Sequence, residues 1–474
     1  MLQYSKIIQL KSFSKMKKIV LVITVLFFVN TITSQNYFMS SPEGFGAAAT
    51  GAGTPTVSNT VTVTTYTALK NALTSTATAN AVILVSGTIN CEYTSVLLTN
   101  RTIIGLPGAR LINNQIAENI DPAVKPSRWD LSGILYIKSG SNNVIIRNLI
   151  FEGPGAFDVD GRDLLTNEGR NVWVDHCEFQ DGMDGNFDNK GACDNTTISW
   201  CKFTYLKPAM TGGFGGSNDH RFSGLVGSGI TDMPSSDGRF SVTFKNCYWA
   251  EGCKARMPRA RNAELHVLNC YYKTSVSGAS AVGLGAGDSG TTCYVENCNF
   301  EQVATISSPV TEGSGTTSVK FDGCIKLTPS VPVTGLDKLT ATKPTYAYTV
   351  LPVANVAAYV SNASCGAGAT LNVTSTGVIS TSCPNLGVED HTLKLGELYP
   401  TSVDSILNID LSDNATGEAI INIFSTSGVK VFSHSKKVSA SEKISLNVAD
   451  LAKGMYLCKI KIGETASTWK FIKK

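Results

Sequence analysis

The sequence predicts an all-β chain, a right-handed parallel β-helix followed by a small C-terminal β-sandwich. Three observations carry this. Residues 80–330 hold short β-rich runs with no helical period. A cysteine recurs at one point of successive runs. From about residue 394 the pattern changes to alternating strands in roughly eighty residues.

The chain has 474 residues, a formal net charge of +3 and 16% charged residues. Apolar residues make up 42%, enough for a sizeable core and too much for a disordered chain. The near-neutral balance argues against nucleic acid as a partner, since a binder usually shows a basic face. Thirteen cysteines are too dilute for a small disulfide scaffold.

Residues 1–34 read as a signal peptide. Met16-Lys17-Lys18 precedes the apolar run IVLVITVLFFV and the polar NTITSQ, with a cut near Ser34 or Gln35 and Met16 as the start. The run is shorter than the ~18 residues a membrane anchor needs. These residues hold five lysines and no acid, so the mature chain carries 35 basic and 37 acidic residues. The slight basicity belongs to the targeting segment.

Residues 35–365 form the expected β-helix. The runs NVIIRNLIF, NVWVDHCEF, TTISWCKF, SVTFKNCYW, LHVLNCYY, TCYVENCNF and SVKFDGCIK are rich in β-branched and aromatic residues. Cys177, Cys201, Cys247, Cys270, Cys298 and Cys324 align, at spacings of 24, 46, 23, 28 and 26. A repeat of this length means a solenoid, and units of strands and turns alone suggest stacked β-coils. The column is expected to be a ladder of buried thiols, because no CxxC pair or His-rich tract accompanies it. Asn246, Asn269 and Asn297 are expected to stack their amides against one another. Cys365 and Cys383 are candidates for a disulfide.

Offset from the column stands for position around the axis. Asp184 and Asp188 lie 7 and 11 residues after Cys177, and Lys207 lies 6 after Cys201. Arg256 and Arg261 lie 9 and 14 after Cys247. One coil earlier Leu149 takes the column place, which puts Asp160 and Asp163 at 11 and 14. Acids followed by bases thus gather on one side. Carboxylates on adjacent coils repel unless a cation joins them, and hard oxygen ligands favour calcium. Asp184 and Asp188 would be roughly 13 Å apart on an extended strand, so the chain must bend, and Gly185 permits it. Arg256 and Arg261 differ by five and would face opposite ways on an unbroken strand; Pro258 breaks it. Arginines beside calcium-holding acids suit an anionic polymer.

NVWVDHCEF, DGNFDNK, TTISWCKF, and ARMPRAR followed by LHVLNCYY resemble, in order and spacing, the pectate lyases of polysaccharide lyase family 1. EGFGAAATGAG and TIIGLPGA resemble its N-terminal segment, so the resemblance covers roughly residues 40–330. It implies cleavage of pectate, or polygalacturonate, by calcium-assisted β-elimination. Arg256 would take the C5 proton and Arg261 would bind substrate or support the loop. Asp184 and Asp188 would hold calcium with an acid from the coil before, Asp163 or Asp160. Asp175 and His176 would be structural support. The family's substrate-binding lysine has no clean match; Lys207 stands nearest, with Arg221 in reserve. A non-catalytic β-helix glycan binder and a calcium-independent pectin lyase are the alternatives.

Residues 366–393, rich in Gly, Ser and Thr, read as a linker. In residues 394–474, LYPTSVDSILNIDL, STSGVKVF, LAKGMYLCKI and the Lys-ending terminus resemble the sorting domain of type IX secretion substrates. That resemblance implies export through the type IX secretion machinery to the cell surface or medium. The chain is expected to be a monomer. A carbohydrate-binding module is the rival, but the tail's one tryptophan, Trp469, leaves few stacking platforms.

Overall fold

A computed structural model of the chain describes residues 37–474, apart from 76–79, 117–127, 159–160, 213–215, 311, 382, 384–394, 414, 426–427 and 464. The expected signal peptide and Asp160 lie outside the described residues. The chain divides into two compact units, Asn36–Pro384 and a second containing Asn385–Lys474.

In the first unit three long sheets of parallel strands run side by side, with ten, eight and ten strands. Each coil gives one strand to each sheet and pairs in register with the next, as in Val174 with Ile198 and Phe179 with Phe203. This is a parallel β-helix. Apolar residues alternate inward: Val172, Val174, Cys177 and Phe179 are all buried within one core.

The coil repeat is visible as columns. All six cysteines of the ladder are buried free thiols. Each Sγ points at the carbonyl two residues earlier, at 3.4–3.6 Å, for example Cys201 to Ser199 and Cys247 to Lys245. The residue before each cysteine turns the chain with a left-handed φ: His176 at 47°, Trp200 at 50°, Asn246 at 55°, Asn269 at 52° and Asn297 at 47°. Asparagine tolerates this region better than most L-residues. Two residues after the column, Phe151, Phe179, Phe203, Trp249, Tyr272 and Phe300 stack with centroids 5.1, 5.4, 5.4, 4.7 and 4.4 Å apart. The expected amide-on-amide stacking is not what Asn269 and Asn297 do. Their side chains bond the backbone of Leu351, and Asn269 also donates to the Asn297 carbonyl.

Helix Tyr66–Thr74 buries Leu69 and Leu73 against the first coils. Thr65 caps it, accepting from the Ala68 amide at 3.2 Å. Residues 366–381, the described start of the expected linker, are packed structure instead. Leu371–Val373 and Ile379–Thr381 form a hairpin. Its Leu371 and Val373 are buried with Val82, Leu84 and Ile104. The Asn148 side chain bonds the Leu371 backbone at 2.8 and 3.1 Å. A Gly/Ser/Thr-rich composition hid two short alternating strands whose apolar side had a surface to cover. A Cys365–Cys383 disulfide closes this segment.

The second unit has a three-stranded and a five-stranded sheet. Leu407 and Ile409 of one share a core with Ile421, Ile423, Cys458, Ile460 and Phe471 of the other.

Candidate active site

The site lies on the outer face of the eight-stranded sheet. In strand Phe187–Asn189, Phe187 faces the core, so Asp188 faces out. Ala260 likewise faces the core, so Arg259 and Arg261 face out. Pairing of Asn189 with Val226, and of Leu225 and Val226 with Arg259 and Ala260, puts Asp188, Leu225 and Arg259 in one outward row. Asp188 and Arg259 are therefore two strands, roughly 10 Å, apart.

Asp163 comes from the coil before. Its Oδ1 lies 2.6 Å from where a Cβ on Gly185 would sit, and Asp188 Oδ1 lies 3.7 Å from the same point. The missing side chain of Gly185 is therefore the space that lets the two carboxylates approach. Asp163 accepts from the Thr166 hydroxyl at 3.1 Å, and Asp188 accepts from the Leu225 amide at 2.8 Å. Burial, then the charge of Asp188, pushes the Asp163 carboxyl well above the usual carboxylate range. Burial also raises Asp188, against Lys190 and Arg256. Asp184 behaves oppositely. Burial opposes its ionisation, yet a hydrogen bond and charge from His220 hold it low. His220 Nε2 stands 2.9 Å from Asp184 Oδ1, and its Nδ1 stands 3.6 Å from Asp158 Oδ1. Asp158 in turn accepts from the Ser217 and Asn218 amides at 3.0 and 2.9 Å, which fixes the backbone just before His220, within the long interval of 46 residues that separates Cys201 from Cys247.

Among the described residues, no three His, Cys, Asp or Glu side chains close around one point as a metal cage. What is present is a pair of under-neutralised carboxylates with a third beside them. All are hard oxygen donors. That set fits calcium, whose coordination is loose and readily shared with water or a ligand.

Arg256 takes a left-handed φ of 57°, unusual for a residue with a side chain. Its guanidinium carbon lies 4.5 Å from the Phe222 ring centroid. Among the described residues no carboxylate reaches it within ion-pair distance, although its charge helps hold Asp184 and Asp188 ionised. Arg261 is buried and already engaged, through Nε to Glu312 and through Nη1 to the Gly227 carbonyl at 3.1 Å. The expected break at Pro258 is there: pairing resumes at Arg259–Ala260.

Lys207 reaches another part of the surface. Its Nζ donates to the Gly153 carbonyl at 2.6 Å and lies 3.7 Å from Glu152. Arg221 forks onto Asp219, with two bonds of 2.7 Å. The structure thus brings Asp184 and Asp188 into electrostatic reach of both Asp163 and Arg256, and gives Lys207 and Arg221 partners of their own. Asp175 and His176 are fully buried and hydrogen-bonded to each other at 2.9 Å, and Asp175 is ion-paired to Arg147 at 2.7 Å.

Sequence reasoning left out Lys190. Its Nζ is 3.9 Å from Asp163 Oδ2, and the charges of Asp163 and Asp188 outweigh burial and raise its pKa. It stands two residues after Asp188, so strand alternation could have found it. His220 and Phe222 follow an insertion, where counting along a coil loses register.

Residues 16–372 match the family model described as pectate lyase. The chain belongs to the pectate lyase family. Residues 397–474 match the secretion system C-terminal sorting domain, the type IX sorting tail, and the protein is thus a secreted or cell-surface member. It is 32% identical over 216 residues to a pectate trisaccharide-lyase of Thermotoga maritima, covering 43% of this chain and 49% of that one. The chain thus spans about half the length of the Thermotoga relatives it matches. A pectate trisaccharide-lyase of Bacillus licheniformis is 28% identical over 334 residues, 68% of this chain and 84% of that one. The solved pectate lyase of Paenibacillus sp. 0602 shares the fold at 18% identity and a TM-score of 0.52, covering 70% of this chain and 96% of that chain.

Proposed function

We propose that the protein cleaves α-1,4-polygalacturonate by calcium-assisted β-elimination, leaving 4,5-unsaturated oligogalacturonides. The observation that carries this is the pairing of under-neutralised Asp163 and Asp188 with a nearby arginine, Arg256, that no carboxylate among the described residues holds in an ion pair. Pectate lyases and pectate trisaccharide-lyases among its relatives point the same way.

Asp163, Asp188 and the more exposed Asp184 would hold the calcium. Bound there, the ion would neutralise a substrate carboxylate and make the adjacent C5 proton more acidic. Arg256 is the base in this reading. A guanidinium accepts a proton only after losing one, so Arg256 must first release a proton to solvent. It then takes the C5 proton. The electron pair left on C5 forms the C4–C5 double bond, the C4–oxygen bond breaks, and the departing oxygen is protonated from water. Phe222 beneath the guanidinium keeps its plane fixed, so the proton is met at a set angle. Lys207 and Arg221 would meet the polymer while still engaged by Glu152 and Asp219. The sorting domain would hand the chain to the type IX machinery.

The test is ultraviolet absorbance of unsaturated uronate on polygalacturonate, with and without a chelator. Product that appears only with calcium supports the reading. Equal rates in both tubes would make the lyase calcium-independent, and faster turnover of methylated pectin without calcium would assign a pectin lyase. Retention of the polymer without product would assign a glycan binder.

A further inference from the structure

The outward row that carries Asp188 and Arg259 continues onto strand Ser280–Gly285, where Arg259 pairs with Gly283. Arg261, two residues on, faces the same way. A Cβ on Gly283 would sit 3.5 Å from Arg259 Cγ. One on Gly285 would sit 3.2 Å from Arg261 Cγ and 3.5 Å from Glu312 Oε2. Gly283-Leu284-Gly285 is therefore a bare platform across which both arginine stems lie flat. A side chain at Gly285 would press on the Arg261 stem, whereas a Cβ at Gly283 would meet Arg259 at ordinary contact distance.

Both stems end at one carboxylate. Arg259 Nη2 donates to Glu312 Oε1 at 2.5 Å, and Arg261 Nε donates to Oε2. Arg261 Nη1 is fixed a second time by the Gly227 carbonyl. Glu312 is held ionised, chiefly by the Arg261 hydrogen bond. Yet the arrangement is incomplete as an ion pair. Arg259 Nε is buried with no acceptor, and neither Arg259 Nη1 nor Arg261 Nη2 has an acceptor among the described residues. Two cations share one anion, so a positive charge is left over on the face that carries Asp188.

We infer that Glu312 is a positioning residue. It holds Arg259 and Arg261 side by side with free guanidinium edges, and Arg259 joins Arg261 in binding uronate carboxylates of the polymer. This rests on the proposed substrate. Glu312 touches no reacting atom and acts through the two arginines, so its loss should weaken substrate binding and leave the chemical step at Arg256.

The experiment compares Glu312→Gln, Glu312→Asp and Arg259→Gln with the wild-type chain on polygalacturonate at saturating calcium. Removing a charge-assisted hydrogen bond should raise KM roughly tenfold. kcat should move much less, and the melting temperature should barely change. Glu312→Asp, which keeps the charge, should recover part of the KM. An unchanged KM with a lowered melting temperature would make Glu312 merely structural and overturn the inference. If Glu312→Gln does not fold, Arg259→Gln carries the test, since Glu312 keeps Arg261; an unchanged KM there overturns it equally. Should the wild-type chain yield no unsaturated product, the proposed reaction fails. Retardation in polygalacturonate gels then reads the same variants, and unaltered retardation overturns the inference.

Discussion

Lys190 Nζ stands 3.9 Å from Asp163 Oδ2, a cation placed among the acids proposed to hold calcium. Burial disfavours its charge, but Asp163 and Asp188 more than restore it. The ammonium therefore plays two opposed parts. It partly neutralises the acids without metal, and it repels a divalent ion arriving at them. Lys190→Gln should bind calcium more tightly, roughly tenfold for one charge removed at this range. It should also make the metal-free protein less stable. Calorimetric titration with calcium and thermal melting with chelator check both. Weaker calcium binding in the variant would show the lysine to be a support for the site.

Arg256→Lys should abolish turnover far more than it weakens binding. Lysine keeps the charge but loses the planar fork and its stacking on Phe222, 4.5 Å away. An ammonium, with pKa near about 10.4, is easier to deprotonate, so acidity alone would let the change pass. Geometry should decide otherwise, because a misplaced base can cost on the order of 100-fold. Arg261→Lys should act mainly on KM, since Arg261 is already anchored to Glu312 and Gly227. Both constants on polygalacturonate at saturating calcium separate the two roles. Near-native turnover of the Arg256 variant would remove it from the chemistry.

His266 is buried on the ten-stranded sheet that begins with Thr60–Val63, its Nδ1 2.6 Å from the Tyr346 hydroxyl and its Nε2 3.2 Å from Glu296. Burial pushes its pKa down to about 4, although Glu296 pulls the other way. The unfolded chain takes up this proton near about pH 6.5 and the folded chain only near 4. The unfolded state thus binds more protons across that window. Stability should be full above it and fall by about 1.4 kcal/mol per pH unit within it, levelling below. His266→Gln should flatten that part of the profile, measured by urea unfolding on both sides of the window. An unaltered slope would move the effect to another group.

The parts of this molecule that were legible in the sequence share one property: they repeat once per coil. Cys177 to Cys324, and the aromatic stack two residues further on, report a position around the axis each time the chain returns. Asp163, Asp184 and Asp188 fall within this frame, because Leu149 continues the column and the coil lengths agree. His220 does not, because the insertion before it breaks the count, and Lys207 keeps its place six residues after Cys201 but engages Gly153 and Glu152 instead. Glu312 was out of reach for a different reason. It meets Arg261 from 51 residues away, and no spacing within one coil points to it. The hairpin of Leu371 and Ile379 was lost to composition. Three-residue strands in a Gly/Ser/Thr-rich segment look like a linker until the surface they cover is known.

That hairpin decides where the chain can be cut. A protein ending at Pro384 keeps Cys365–Cys383 and the burial of Leu371 and Val373 over Val82, Leu84 and Ile104. It should fold and keep the activity of the full chain, because the second unit has its own core around Ile421, Ile460 and Phe471. A protein ending at Cys365 loses the hairpin and leaves one thiol unpaired. It also uncovers the outer side of the first coils. Closing a loop of 18 residues contributes roughly 3 kcal/mol in the chain-entropy account, and the lost apolar burial adds to that. The shorter protein should therefore melt several degrees lower, while its site residues, on the eight-stranded sheet and the turns leading into it, keep KM near that of the longer one. Reducing the full-length protein should lower its melting temperature by part of the same amount. Melting curves and polygalacturonate kinetics of the two truncations distinguish these outcomes, and equal melting temperatures would return residues 366–383 to the status of a linker.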